Sequence, residues 1–331
     1  MLGVGEVGIQ EREWRPPWAV DIGLVLGPHR RGTGDPAFAV DTGGGYWRAV
    51  RTPDGPGTLR VRRCSDVVQA AAWGPGAAWL LDAVPEMLGA ADDLSGFEPK
   101  HDVLREAVRR HPGLRVCRTN RVFEALVPAV LEQKVLSTEA WRAWRYLLRR
   151  FGEPAPVPRG VVTDRGHALD LRVPPPPETW ARIPSWEWHR SGIEAVRART
   201  IIGAARVASR LENGGGRVDD PGGPADNDPG GPVDNAAESR LRSLPGVGVW
   251  TAAETRQRAV GDPDAVSVGD YHLPGLVGWA LTGSKTDDDG MLELLEPYRG
   301  HRHRVTRLLG LTGARPPRRG PRLPVRDYRS F

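Results

Sequence analysis

Cysteine is nearly absent from this sequence: only Cys64 and Cys117 occur. Two thiols are too few for a four-thiolate zinc or iron–sulfur site, and too few for a disulfide framework. A reducing cytoplasm is the expected setting. Lysine is scarce as well. Lys100, Lys134 and Lys285 are the only three, so arginine carries almost all of the positive charge. No stretch of about twenty apolar residues is present, so no membrane span is expected. The N-terminal "MLGVGEVGIQEREW" lacks a basic region followed by an apolar run, so it does not read as a signal peptide.

What is present suits two domains. The chain has 331 residues, 39% of them hydrophobic. The formal net charge is +5, but residues 212–238 hold seven acidic side chains against Arg217 alone, so the remainder carries +11. Such a surplus favours a polyanionic partner, although a GC-rich genome that encodes arginine freely also produces it.

Residues 1–17 read as an N-terminal tail, and 18–98 as a small α+β domain. "WAVDIGLVLG" is expected as one strand. "PAFAVDTGGGYWRAVRT" holds two strands joined at Gly43-Gly44-Gly45, and "GTLRVRRC" alternates as a half-buried strand does. Helices are expected over about Asp66–Trp73 and Ala77–Leu88. From residue 99 to 312 the helical period dominates, as in "HDVLREAVRRH" and "RVFEALVPAVLEQKVLSTEAWRAWRYLLRRF". Ser137 and Thr138, with Glu139 close behind, are placed to cap a new helix. Pro-rich connectors follow, and then a helix over Ile193–Leu211. Residues 212–238, with repeated "PGGP", read as a disordered insert, and 313–331 as a basic Arg/Pro-rich tail. The expected class is α+β: an N-terminal antiparallel sheet with helices, packed on a mostly α-helical domain.

"LPGVGVWTAAETRQ" (Leu244–Gln257) is the most informative stretch. A short helix over Glu238–Leu244 ends at Pro245, Gly246 and Gly248 allow a tight turn, and a second helix starts near Val249. The first amides of a helix lack internal partners, and the helix dipole adds partial positive charge there. A glycine turn exposes those amides to a phosphate with no Cβ in the way. Pro245, Gly246, Gly248 and Val249 are therefore candidate DNA-backbone contacts, with Thr251 as a side-chain donor or a helix cap. An ordinary corner between two helices would look the same.

Twenty residues after Trp250, "VSVGDYHLPGLV" places Asp270 at the head of another helix. A glycine hairpin followed at this interval by a carboxylate resembles the helix-hairpin-helix DNA glycosylase superfamily, and most nearly its 3-methyladenine DNA glycosylase II branch. "RTPDGPGTLRV" (Arg51–Val61) and "LEPYRGHRHRVTRLL" (Leu295–Leu309) resemble segments of that branch too, and the likeness runs from about Trp18 to Thr312. The resemblance implies a glycosylase that hydrolyses the N-glycosidic bond of alkylated purines in double-stranded DNA during base excision repair. Asp270 would be the catalytic anion, and Trp250, Tyr271 and Gln133 would border the base pocket. In members that also cut the strand, a lysine stands where Trp250 stands, so the resemblance implies hydrolysis without lyase activity. It further implies a monovalent cation, Na+ or K+, on the main-chain carbonyls of Arg242, Leu244 and Val247, with no other cofactor and no iron–sulfur cluster. "VLEQKVLS" aligns with the segment that fills the gap left by the flipped base, which puts Lys134 where a relative has an apolar wedge. A non-catalytic module for damaged or bent duplex, or a glycosylase for deaminated bases, are the alternatives. His189, His272, His301 and His303 show no metal spacing and read as structural, although His301, Arg302 and Arg304 could approach phosphate. A cytoplasmic, nucleoid-associated protein is expected.

Overall fold

The computed structural model describes residues 8–212 and 235–317. A five-stranded antiparallel sheet is built from β1 (Gln10–Trp14), β2 (Phe38–Val40), β3 (Tyr46–Thr52), β4 (Gly55–Cys64) and β5 (Val67–Trp73). Its order is β1-β5-β4-β3-β2. Period-two alternation gives the sheet two apolar faces. Val50, Leu59, Val61, Val68 and Ala70 meet helices α1 (Ile22–Leu26) and α2 (Ala77–Met87) on one face. Trp47 and Trp73 stack at 5.0 Å on the other, against Leu171 and Val173. The last two belong to the segment that carries the small hairpin of β6 (Glu153–Pro154) and β7 (Arg172–Val173).

The helical part contains α3 (Asp102–Arg110), α4 (Val122–Leu131), α5 (Ser137–Phe151), α6 (Pro177–Arg182), α7 (Ser185–Ser191), α8 (Ala195–Arg206), α9 (Ala208–Glu212), α10 (Asn235–Arg242), α11 (Val249–Ala259), α12 (Leu273–Thr282), α13 (Asp288–Leu295) and α14 (Arg302–Leu311). It has two cores. Leu126, Val130, Leu147, Trp180, Trp188 and Ile201 centre the first. Leu104, Val277, Met291, Leu295, Val305 and Leu309 centre the second. The two halves of the chain are joined by buried ion pairs: Arg48 on β3 with Glu124 on α4 at 2.7 Å, and Arg304 on α14 with Asp92 at 2.7 Å.

The α+β class and the β2–β3–β4 meander agree with the sequence expectation, and four boundaries differ. The tail is shorter than residues 1–17, because Gln10–Trp14 pairs with β5 as an edge strand. "WAVDIGLVLG" is not a strand: Asp21 accepts a hydrogen bond from the Leu24 amide at 2.9 Å and starts helix α1. Val67–Trp73 is not helical, because it pairs on both sides, with β4 and β1, and that pairing overrides the helix preference of its alanines. The insert is shorter than 212–238: Glu212 ends α9 and accepts from the amides of Val122 and Phe123, while Asn235 starts α10. Residues 213–234 and 318–331 lie outside the described residues. At α5 the cap is made by Glu139, which accepts from the Leu136 amide at 3.2 Å, and Ser137 is the first helical residue.

Candidate nucleic-acid interface and active site

Helices α10 and α11 are joined by Ser243–Gly248. The Val247 amide donates to the Leu244 carbonyl at 3.0 Å, which closes the turn. Gly246 has φ +88°, in the left-handed region. A Cβ there would also stand 2.0 Å from Thr200 Oγ1, so both backbone and space require glycine. Val247 and Leu241 anchor the turn in the first core. Gly248 precedes α11 with no side chain to cap it, so the first amides of an eleven-residue helix are left for an outside acceptor. Pro245, Gly246, Gly248 and Val249 are all exposed at this tip.

Gln133, just past α4, is tied to the same turn. Its Nε2 donates to the Gly246 carbonyl at 2.9 Å and to Thr251 Oγ1 at 2.8 Å. This corrects two expectations. Gln133 braces the hairpin and does not face a base pocket. Thr251 is only 2% exposed and its hydroxyl accepts from Gln133 inside the brace, so burial keeps it from a phosphate. The next residue, Lys134, is exposed and held at φ +54°, a conformation uncommon outside glycine.

Asp270 lies in the loop between α11 and α12. Its Oδ1 accepts from the amides of His272 at 2.8 Å and Leu273 at 2.9 Å, which starts α12. Its Oδ2 accepts from the indole Nε1 of Trp250 at 3.1 Å. The carboxylate is half-buried, fixed from two sides, and keeps acceptor capacity on Oδ2.

Under Asp270 opens a cavity of about 250 Å³. Its wall comes from three elements that the sequence keeps far apart: Pro28 and His29 after α1, Glu254 and Arg258 on α11, and His303 and Arg307 on α14. Leu273 and Leu276 of α12 add an apolar side. Trp250, Glu254 and Arg258 are spaced four apart and so share one face of α11. Glu254 receives Ser267 Oγ at 2.5 Å and pairs with Arg258 at 2.7 Å. Burial, with Arg48 and Arg258 adding to it, drives the His29 pKa well below its ordinary value, and burial beside Arg307 does the same to His303. Cys117, also in the wall, is pushed up to about 12 by burial, so it is a thiol and not a nucleophile.

Tyr271 does not reach this cavity. It is 85% exposed and packs edge-on against the His272 ring at 4.9 Å. Its side chain leaves the outer side of the turn that Asp270 caps. Trp250 meets the carboxylate but is not part of the cavity wall, so none of Trp250, Tyr271 and Gln133, expected to border a base pocket, lines this cavity. Nor do the basic residues of α14 face solvent for phosphate contact. Arg304 is 2% exposed and bonded to Asp92, Arg302 pairs with Asp264, and His301 bonds the Ser95 carbonyl. His29, Arg258 and Arg307 carried no sequence signal of their own, because they lie on three separate elements that only the fold brings to one wall. Among the described residues, no cluster of three or more His, Cys, Asp or Glu could hold a metal ion, and no helix is long and apolar enough to cross a membrane.

No model of a known protein family matches the chain. A protein of Mycobacterium tuberculosis described as a probable bifunctional transcriptional activator/DNA repair enzyme AlkA is 31% identical over 192 residues, which is 58% of this chain and 32% of that relative. The chain thus spans about a third of the length of the curated relatives it matches. Among solved structures, a 3-methyladenine DNA-glycosylase from Archaeoglobus fulgidus aligns with TM-score 0.68 and 17% identity, covering 91% of this chain and 97% of that one. An 8-oxoguanine glycosylase/lyase from Clostridium acetobutylicum, in its apo form, aligns with TM-score 0.62 and 12% identity, covering 93% of this chain and 100% of the other.

Proposed function

We propose that this chain, which has the fold of the helix-hairpin-helix DNA glycosylases, hydrolyses the N-glycosidic bond of alkylated purines of the 3-methyladenine type in double-stranded DNA and leaves an abasic site. The observation that carries the reading is Asp270. A carboxylate fixed by an indole N–H and two backbone amides stands over a base-sized cavity, and the helix that carries the indole begins at a glycine hairpin with free helix amides. The names of the M. tuberculosis and A. fulgidus proteins support repair of alkylated DNA.

The hairpin amides and Lys134 hold the duplex, and the damaged nucleotide leaves the stack at a cost of a few kcal/mol. A cationic alkylpurine departs readily, so the sugar needs an anion more than the base needs an acid. Asp270 supplies that charge and receives a proton from the attacking water. Hydrolysis without strand cleavage is supported by the indole in the lyase-lysine position and by the cavity wall, in which no lysine occurs. The carbonyls of Arg242, Leu244 and Val247 fit a monovalent cation, Na+ or K+, in one respect: the Leu244 oxygen accepts a hydrogen bond from Val247 and retains a second lone pair. Such an ion would add positive charge for a phosphate. No other cofactor is needed for the chemistry proposed, and a cytoplasmic, nucleoid-associated enzyme is the matching setting.

The test is methylated duplex scored for free base, with and without hot alkali. Wild type should release 3-methyladenine and give strand breaks only after alkali. Asp270→Asn keeps an oxygen for the His272 and Leu273 amides but loses the charge, and should release base at least about a hundredfold more slowly with duplex affinity retained. Equal release by the two proteins would take the catalytic role from Asp270, and no release by wild type would reduce the chain to a DNA-binding module.

A further inference from the structure

Residues 260–272 lead from the end of α11 to the start of α12 and carry Asp270. Val266 and Val268 of this loop pack into the second core. Ser267, between them, meets α11 instead. It is 4% exposed, and its Oγ accepts from Gln257 Nε2 at 2.9 Å and donates to Glu254 Oε1 at 2.5 Å. The Gln257 amide also donates to the Ala265 carbonyl at 2.8 Å. The Ser267 carbonyl in turn accepts from the Asp270 amide at 3.2 Å, so this residue closes the turn on which the carboxylate sits.

Trp250, Glu254 and Gln257 are spaced at i, i+4 and i+7, which puts them along one side of α11. They meet the loop in reverse order: Trp250 holds Asp270, Glu254 holds Ser267, and Gln257 holds Ser267 and Ala265. The loop is thus laced antiparallel to the helix that starts at the hairpin. Apolar burial of Val266 and Val268 is non-directional and tolerates sliding. Hydrogen bonds are directional and do not. A slip of one residue would carry Asp270 by up to about 3.3 Å.

The geometry points to Ser267 as a positioning residue for Asp270: with Gln257 it fixes the register of the loop on α11, and so the place of the carboxylate over the cavity. This rests on the proposed reading of Asp270 as the group that serves the sugar. Ser267 also lines the cavity, but its single hydroxyl proton is committed to Glu254, which Arg258 holds from the other side. It therefore acts through Asp270 and not on the base. A misplacement of about 1 Å costs on the order of a hundredfold in rate, so a lost register bond is felt in turnover before it is felt in binding.

The experiment measures single-turnover release of 3-methyladenine from methylated duplex, duplex affinity and thermal midpoint for wild type, Ser267→Ala, Ser267→Thr and Gln257→Leu. Ser267→Ala is also placed in an Asp270→Asn background. Ser267→Ala should slow release at least about tenfold with duplex affinity unchanged. Ser267→Thr keeps the hydroxyl and should recover part of the loss. Gln257→Leu should slow release as well, and the Ser267→Ala, Gln257→Leu pair should be no slower than the slower single variant. In the Asp270→Asn background, Ser267→Ala should slow the residual release no further. An equal fold loss in both backgrounds, which a general folding defect would give, overturns the positioning role. Unchanged release by Ser267→Ala overturns it too, as does a loss seen only in duplex affinity. Those three results leave the role of Asp270 standing. No release by wild type, or full release by Asp270→Asn alone, overturns the reading of Asp270 and this inference together.

Discussion

The indole N–H of Trp250 donates to Asp270 Oδ2 at 3.1 Å across the twenty residues that separate them. One end of the carboxylate starts α12, and the other is aimed by the first turn of α11. The hairpin proposed to hold DNA and the group proposed to serve the sugar are therefore linked through one hydrogen bond.

The Trp250–Asp270 bond has a measurable consequence. Trp250→Phe keeps a ring and removes the N–H. A hydrogen bond to a charged group contributes about 1.5–3 kcal/mol. Base release should fall roughly tenfold to a hundredfold, with little loss of thermal stability. A drop in stability with unchanged turnover would show that the indole only packs.

The hairpin makes a second prediction through Gly246. Gly246→Ala forces a Cβ to 2.0 Å from Thr200 Oγ1 at φ +88°. Strain of this kind costs about 1–3 kcal/mol, and the overlap adds to it. DNA affinity should weaken along with stability. Thr200→Ala removes the overlapping hydroxyl but not the backbone strain, so it should recover only part of the loss. Full recovery in the double variant, measured by chemical denaturation, would remove strain from the account.

Salt offers a third check. If exposed amides at the hairpin and the cation Lys134 hold phosphates, duplex affinity should fall linearly on a log–log plot against salt concentration, with a slope of about −0.9 per phosphate neutralised. Lys134→Ala should make the slope shallower by about one unit. A flat plot would remove DNA as the partner.

The sequence disclosed what local chemistry encodes. The β2–β3 hairpin is signalled by three consecutive glycines, the α10–α11 turn by "PGVG", and the position of Asp270 by its capping role. These are decided within a few residues of chain. Ile22–Leu26 was less legible because a short apolar run fits a buried strand or a buried helix equally, and only the Asp21 cap settles it. Val67–Trp73 reads as helix by composition and becomes a strand by pairing with its hairpin neighbour β4 and with β1, an edge strand remote in sequence. Tyr271 was misplaced for a different reason: a residue beside a catalytic position can leave the turn on either side, and exposure is set by packing alone. The cavity wall was hidden most completely, since His29, Arg258 and Arg307 meet only after three separate elements fold together.

The joint between the two halves of the molecule sets a further expectation. Arg304 and Asp92 are 2% and 0% exposed as side chains and joined by two hydrogen bonds of 2.7 Å, with a further Arg304 bond to the Asp93 carbonyl at 2.8 Å. Removing one partner of a buried pair leaves the other uncompensated and costs about 3–5 kcal/mol. Arg304→Met should lower the thermal midpoint by several degrees, and adding Asp92→Asn should recover part of the loss. No recovery in the double variant would mean that packing of the arginine, and not its charge, joins the halves.

Stability should also depend on pH through the two buried histidines. Burial, with arginine neighbours second, lowers the His29 and His303 pKa values well below 6.5 in the folded protein. The unfolded chain, with ordinary imidazoles, then binds more protons than the folded one between pH 6.5 and the depressed values. Stability is therefore present in full above pH 6.5 and declines as the pH falls below it. The thermal midpoint should drop between pH 7 and pH 5, before most carboxylates titrate. His303→Asn, which cannot take up a proton, should flatten that decline even if it lowers the midpoint at pH 7. An unchanged slope in the variant would place the acid sensitivity elsewhere, with His29 the next residue to replace.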